Sequence, residues 1–250
     1  MGERNTYYMK IAIIGASSAL AHEAAKLFAR NGAELFLVGR TPEKLEVVAS
    51  DLKVRGARRV ETYLLDLSDL SQHQEMLDQA LATLGELDML LIAHGTLGDQ
   101  RKCERSVEET LKELHNNCIS VISLLTLSAN YFEQRRHGCI AVISSVAGDR
   151  GLKRNYVYGT AKAALTTFLQ GLRGRLSSSN VAVVTIKPGF TATPMTAHMK
   201  RRLLTANAQA VGQGIYQAMM KKKDVVYLPW FWQPIMFVIR SIPESLYKRL

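Results

Sequence analysis

Tyr158 and Lys162 stand four residues apart in Tyr158-Gly159-Thr160-Ala161-Lys162. On a helix that spacing puts both side chains on one face. A phenol with a pKa near 10 is a weak acid at neutral pH, and a neighbouring ammonium favours its phenolate. Such a pair can give or take a proton beside a carbonyl that is gaining or losing hydride. Thirteen residues upstream lies Ser145, where an apolar run ends and a hydroxyl can hold the substrate oxygen. Taken alone, a Tyr–Lys pair at this spacing is a common surface feature.

A second constellation sits near the start of the chain. Gly15-Ala16-Ser17-Ser18-Ala19-Leu20-Ala21 joins a short apolar run to a helical pattern. Small residues there let the backbone approach a pyrophosphate, which then rests on the exposed N–H groups of the helix. A plain tight turn is the other reading. The next apolar run ends in Gly39-Arg40, where an acid would bind a ribose 2′-hydroxyl and repel a 2′-phosphate. A cation there attracts the phosphate and favours NADP(H). Arg40 stacked on an adenine would suit either cofactor.

These residues need a scaffold, and the hydrophobic pattern supplies one. Residues 9–14, 34–38, 60–65, 87–93, 139–144, 181–187 and 225–228 are short Val/Ile/Leu-rich runs that read as strands. Helical spacing covers 21–31, 42–56, 69–84, 107–134, 156–177 and 205–220. Thr41-Pro42 opens one helix with an N-cap and an N1 proline, Ser68 or Asp69 caps another, and Gly32 and Gly85 end two. Continuously apolar strands are covered on both faces, as in a parallel sheet, and strict alternation with helices says the same. The expectation is a single α/β domain over 9–228. Its core is a doubly wound, Rossmann-type parallel sheet of seven strands flanked by helices. A polar extension, 1–8, precedes it, and a C-terminal amphipathic extension, 229–250, follows.

A chain of 250 residues is one domain's worth. An apolar share of 47% and a charged share of 22% exclude a disordered, collagenous or polytopic membrane chain. Cys103, Cys118 and Cys139 are odd in number and widely spaced, with no Cys/His cluster. That argues against a disulfide framework or a metal site, and for a reducing cytoplasmic setting. Residues 1–10 lack the apolar core of a secretory signal, and no apolar run approaches the roughly 18 residues of a spanning helix.

The formal charge of +10 points to an acidic partner or to a solvated basic surface. Much of it lies late in the chain, in Lys200, Arg201, Arg202, Lys221, Lys222, Lys223, Arg240, Lys248 and Arg249 against Asp224 and Glu244. The same stretch holds both tryptophans, Trp230 and Trp232, followed by apolar residues 235–239 with Pro234 in the first turn. Aromatics beside an apolar segment flanked by cations describe an interfacial helix on an anionic membrane. A helix docked on the protein's own pocket, or on a neighbouring subunit, is the alternative. No recognition motif supports a nucleic-acid partner.

With the glycine loop, the strand-end Ser145 and the Tyr158/Lys162 pair in this order, the sequence resembles the short-chain dehydrogenase/reductase superfamily from about residue 9 to 228. The resemblance implies Tyr158 as proton donor, with Lys162 lowering its pKa and binding the nicotinamide ribose. It implies Ser145 polarising the carbonyl and Asn117, in preference to Asn116, holding a relay water. The dinucleotide site it implies comprises Gly15, Ser17, Ser18, Ala19, Leu20, Arg40, Asp66, Leu67, Ala93, Gly95, Pro188, Gly189, Thr191 and Thr193, with Tyr158 and Lys162. In that site Asp66 contacts adenine, and 188–193 caps the nicotinamide with Thr193 on its carboxamide. The chain departs from the pattern at Ala19 and Ala21, where glycines are usual, and at Ile92-Ala93-His94-Gly95 in place of Asn-Asn-Ala-Gly. His94 is left to face either cofactor or core.

Residues 144–151 running on to 155–159, together with 93–99, resemble a narrower group, the reductase subunit of decaprenylphosphoryl-ribose 2-epimerase and its relatives. That likeness implies a keto sugar on a polyprenyl phosphate as substrate and a partner oxidase; the C-terminal segment agrees, with a cytoplasmic protein peripheral on the inner face of the cell membrane as the expectation. The superfamily resemblance also implies a homo-oligomer, a dimer or tetramer. A soluble carbonyl or 3-oxoacyl reductase with a hydrophobic substrate is the milder reading. A non-catalytic nucleotide-binding scaffold has no need of all four of Asn117, Ser145, Tyr158 and Lys162.

Overall fold

The computed structural model describes residues 8–197 and 204–249; residues 1–7 of the polar extension, and Lys200, Arg201, Arg202 and Leu250, lie outside them. The strands are β1 (Lys10–Ile14), β2 (Glu34–Gly39), β3 (Arg59–Leu64), β4 (Met89–Ile92), β5 (Gly138–Ile143), β6 (Val181–Pro188), β7 (Thr191–Ala192), β8 (Ala206–Asn207) and β9 (Val225–Leu228). The helices are α1 (Ala19–Arg30), α2 (Pro42–Val54), α3 (His73–Leu84), α4 (Gln100–Cys103), α5 (Val107–Leu114), α6 (Ser120–Arg135), α7 (Tyr156–Leu176), α8 (Ala208–Met220), α9 (Trp232–Ser241) and α10 (Glu244–Tyr247).

Seven strands form one parallel sheet in the order β3-β2-β1-β4-β5-β6-β9. The order reverses between β1 and β4, which is where such sheets open a crevice at their carboxyl ends. Side chains of a strand alternate between faces, so each face of β1 feeds its own core. Ile11 and Ile13 pack with Phe28, Leu45 and Ile215 on one side. Ala12 and Ile14 pack with Leu77, Leu125 and Leu165 on the other. That is the expected doubly wound sandwich.

Several local expectations need correction. The helix expected over 107–134 is two helices, α5 and α6, joined by a π turn, His115–Ile119. Such turns insert a residue into the ladder and cluster at functional sites. The outer strands are not continuously buried: Thr62 and Leu64 of β3 and Val225 of β9 are exposed, because an edge strand has one neighbour and thinner cover. The helix expected from 205 begins at Ala208, since Ala206 and Asn207 pair with Thr191 and Ala192 and the Asn207 side chain caps the helix through the Ala210 N–H. The first helix starts at Ala19, two residues ahead of its apolar pattern, and α4 carried no periodic signal. Among the described residues, no helix is long and apolar enough to cross a membrane.

Candidate active site

The first turns of α7 bring Tyr158 and Lys162 to the carboxyl end of β5, where Ser145 follows the strand. Lys162 is buried, and its Nζ donates to the Ile143 carbonyl at 3.1 Å while lying 5.6 Å from the Tyr158 ring centroid. The Ser145 Oγ accepts from the Ala147 N–H at 3.1 Å, which caps the turn Val146–Gly148 and fixes the hydroxyl at the strand end. Burial pushes the Tyr158 phenol up to about 12; the hydroxyl of Ser145, hydrogen-bonded to it, acts the other way. Burial brings the Lys162 ammonium down to about 8. In this state the Tyr158 pKa lies above its ordinary value, where the resemblance implies one below it. Desolvation of the phenol dominates, and the ammonium is aimed at the Ile143 carbonyl. At pH 7 both groups hold their protons, so Tyr158 stands ready as a neutral acid beside a cation.

Asn117 sits in the π turn and is fully buried. Its Oδ1 accepts from the Thr96 N–H at 3.0 Å, and its Nδ2 donates to the Thr96 Oγ1 and to the Glu113 carbonyl and Oε2, each at 3.1 Å. Through these bonds the Asn117 side chain organises the loop after β4. Glu113, one turn earlier, completes the knot. Its carboxylate also accepts from the Thr96 hydroxyl at 2.9 Å and the Gly98 N–H at 3.0 Å. No sequence signal singles out this buried acid, because Glu108, Glu109 and Glu113 look alike on a polar helix. Gly95 is held tight against this group, since a Cβ there would lie 2.7 Å from the Asn117 Oδ1.

The glycine turn lies beside the same loop. Gly15 adopts φ +80°, and a Cβ on it would meet the His94 backbone nitrogen at 2.6 Å. Both the conformation and the close approach require glycine. Ser18 stands at the N-cap of α1 with no side-chain cap hydrogen bond, and Ser17 is exposed beside it, so no side chain caps the helix start at Ala19 and Leu20. Ala93 is hydrogen-bonded to the Ile14 carbonyl and brings the two loops together. Arg40 and Asp66 are exposed at the ends of β2 and β3. Hydrogen bonds from the Ser68 backbone and hydroxyl hold the Asp66 carboxyl low, with Arg40 helping. Leu67 is buried, and its carbonyl accepts from the Ser120 hydroxyl at 2.5 Å and His73 Nε2 at 3.1 Å.

That arrangement anchors one edge of the His94 ring. The Ser120 hydroxyl spends its hydrogen on Leu67, so His94 Nε2, 2.9 Å from Ser120 Oγ, is the donor. Burial and the Lys162 charge bring its pKa down to about 3, which leaves a neutral ring. The ring is anchored in the core through Nε2, while its Nδ1 is a buried acceptor with no partner in the protein.

The remaining wall comes from the chain's end. Pro188 closes β6, and Gly189 donates to the Leu228 carbonyl at 3.0 Å. A Cβ on Gly189 would overlap the indole of Trp232, whose ring meets Phe190 edge-on at 5.6 Å. The Thr191 hydroxyl turns back on the Gly189 carbonyl at 3.1 Å, while Thr193 caps the turn Pro194–Thr196. From the other side, Arg150 donates to the carbonyls of Ile239, Arg240 and Ile242 at 2.8, 3.1 and 2.6 Å and covers the Tyr247 ring at 3.8 Å. Beside it, Asp149 is buried between Lys187 and the Tyr227 hydroxyl. The C-terminal helix thus docks on the protein's own cleft, the alternative to a purely membrane-bound helix. Nothing in the sequence pairs Asp149 with Lys187 and Tyr227, or Arg150 with the end of α9; those contacts appear only in the fold.

A doubly wound sheet with a glycine turn at its first crossover, and a Ser–Tyr–Lys group at its carboxyl edge, defines a dinucleotide-dependent oxidoreductase. The family model described as short chain dehydrogenase matches residues 9–204. The chain belongs to that family. It is 32% identical over 240 residues to an uncharacterized oxidoreductase of Mycobacterium tuberculosis, covering 96% of each chain. It is 30% identical over 239 residues to an uncharacterized oxidoreductase of Streptomyces coelicolor, covering 95% of this chain and 94% of the other. The crystal structure of levodione reductase superposes with a TM-score of 0.81 at 20% identity, over 89% of this chain and 97% of that one, and shares the fold.

The family's cofactor is NAD(P)(H), and the residues here fit it. The Gly15 cradle excludes a side chain, the start of α1 offers N–H groups to a diphosphate, and the partnerless His94 Nδ1 borders the same loop.

Proposed function

We propose that this chain is an NADP(H)-dependent reductase of a keto group on a lipid-linked sugar. The observation that carries the ketoreductase part is the Tyr158 phenol on the Ser145 hydroxyl with the Lys162 ammonium beside it. The cofactor, when bound, supplies the hydride. Ser145 holds the carbonyl oxygen, Tyr158 gives it a proton, and the Lys162 charge favours the phenolate left behind. Proton and hydride together convert the ketone to an alcohol.

Three features support the finer reading. Gln100 Nε2 and Asn155 Oδ1 are buried without partners in the protein, and Gln100 bonds the Val157 N–H next to Tyr158, so hydroxyl-bearing substrate suits that side. Trp232 meets Phe190 edge-on and Met236 is buried one turn further along the same helix, aromatic and aliphatic surface of the kind a prenyl chain would want. Arg40, with no acid at the end of β2, favours the 2′-phosphate of NADP(H). The same apolar surface would serve a soluble 3-oxoacyl or carbonyl reductase. Steady-state oxidation of NADPH and of NADH separates them, using a polyprenyl-phosphate keto sugar, a long-chain 3-oxoacyl thioester and a small cyclic ketone. The highest kcat/KM on the lipid-linked sugar is expected. A higher value on the thioester or the small ketone overturns the sugar reading.

A further inference from the structure

Helix α9 has two apolar faces and buries one. Trp232 and Met236 are 5% and 3% exposed, with Trp232 against Gly189 and Phe190. On the far side Phe237 and Val238 are 74% and 62% exposed, with Trp230 at 76% just ahead of the helix and Leu246 at 57% in α10. The segment is not loosely attached: the Arg150 guanidinium holds the end of α9, and the Tyr247 hydroxyl donates to the Gly151 carbonyl at 2.9 Å. A clamped element that presents its large apolar groups to water marks a contact surface.

The rim of this patch is cationic. Arg240, Lys248 and Arg249 are exposed along the segment, and Lys153 and Arg154 are exposed on the loop that receives Tyr247. The acid of the segment, Glu244, is paired with Arg150 at 2.9 Å. A second copy of the chain about a twofold axis would bring two cationic rims together, which disfavours self-association. An aromatic and aliphatic centre inside a cationic rim matches the boundary between acyl chains and anionic headgroups.

We propose that the outer face of α9 and α10 seats on an anionic lipid bilayer, while its inner face walls the cleft. The proposal goes beyond the ketoreductase reading and does not rest on it, because seating involves no residue of the site chemistry. A substrate held in the bilayer would then reach the cleft along the helix that bounds it.

Flotation of the full chain with phosphatidylglycerol-containing vesicles, against pure phosphatidylcholine vesicles, tests this without substrate. Each cation near an anionic surface is worth roughly fivefold in partitioning. Arg240, Lys248 and Arg249 together should favour the anionic vesicles by about 100-fold at low salt. Trp230 emission should shift to the blue on binding, since Trp232 is already buried. The double variant Phe237→Ser/Val238→Ser should lose at least tenfold in binding with its melting temperature kept. Trp230→Ser, outside the helix, gives the same reading if that variant is poorly folded. Absence of binding by the native chain overturns the proposal, as does binding undiminished in these variants. A drop in oligomer mass on light scattering with Phe237→Ser/Val238→Ser would assign the face to a second copy instead.

Discussion

The Oε2 of Glu113 accepts from the Nδ2 of Asn117 at 3.1 Å, so a buried carboxylate holds the side chain of the π turn. The same carboxylate takes the Thr96 hydroxyl and the Gly98 N–H, and a Cβ on Gly98 would lie 2.6 Å from Glu113 Cγ. One acid therefore sets the loop between β4 and α4 and the helix that bears Asn117.

Glu113→Gln keeps the shape and removes the charge. Its amide oxygen can serve the two N–H donors, but its NH2 then faces the Thr96 hydroxyl, which must turn and leave its own hydrogen unpaired. Hydrogen bonds to a charged group are worth about 1.5–3 kcal/mol, and neutral ones about 1. A loss of about 1–2 kcal/mol in stability and about tenfold in kcat is expected, read by thermal melting and steady-state rates. An unchanged kcat and melting temperature would show that the carboxylate does not hold Asn117 in place.

Tyr158→Phe removes the proton and little else. Ketoreduction should fall at least about 100-fold, while cofactor affinity, measured by fluorescence titration, stays within about twofold. Retention of a tenth of the native rate would contradict the assignment of Tyr158 as acid.

Lys162 carries a stability signature. Its pKa falls from 10.5 unfolded to about 8 folded, so the unfolded chain binds more protons between those values and stability rises with pH through that window. Below pH 8 the full desolvation cost is present, on the order of 3 kcal/mol. Lys162→Met should lose activity yet melt higher than the native protein at pH 7, even after the hydrogen bond to Ile143 is lost. The difference should shrink as pH climbs to 10.5. A gain that stays constant with pH would assign the effect to packing.

Arg40→Ala should weaken NADPH binding by about 10- to 100-fold, the worth of one charged hydrogen-bonding partner, and leave NADH nearly unchanged. Calorimetric titration of both cofactors decides it. Equal losses would place Arg40 on the adenine face.

Arg150→Met should unhook the chain's end. The ion pair to Glu244 adds little because that carboxylate is exposed. The three carbonyl contacts are the larger part, and about 2 kcal/mol of local stability should go with them. Limited proteolysis within 229–249 should speed up by about tenfold or more, with KM raised more than kcat is lowered. Unchanged cleavage would mean that Trp232 alone anchors the helix.

The strand pattern and the doubly wound sheet were readable from local spacing, while the candidate catalytic side chains stood out only through the order of glycine loop, Ser145 and Tyr158/Lys162 and the resemblance it carries. Val, Ile and Leu runs report burial along one strand, and Tyr158 and Lys162 share a face because they share a helix. The glycine turn was likewise local: Gly15 ends β1 and φ +80° is its own property. The rest depends on which distant segments meet. Helical periodicity distinguishes an inward from an outward face, yet it cannot tell a solvated Glu109 from Glu113 buried against Thr96 and Gly98. It placed one helix over 107–134, because a π turn keeps the apolar pattern while shifting its register. The rise of the Tyr158 pKa comes from burial, a property of the assembled site that the spacing to Lys162 does not contain. Arg150 read as one more surface cation; only the return of the chain 89 residues later, with the open carbonyls at the end of α9, made it the clamp on the cleft.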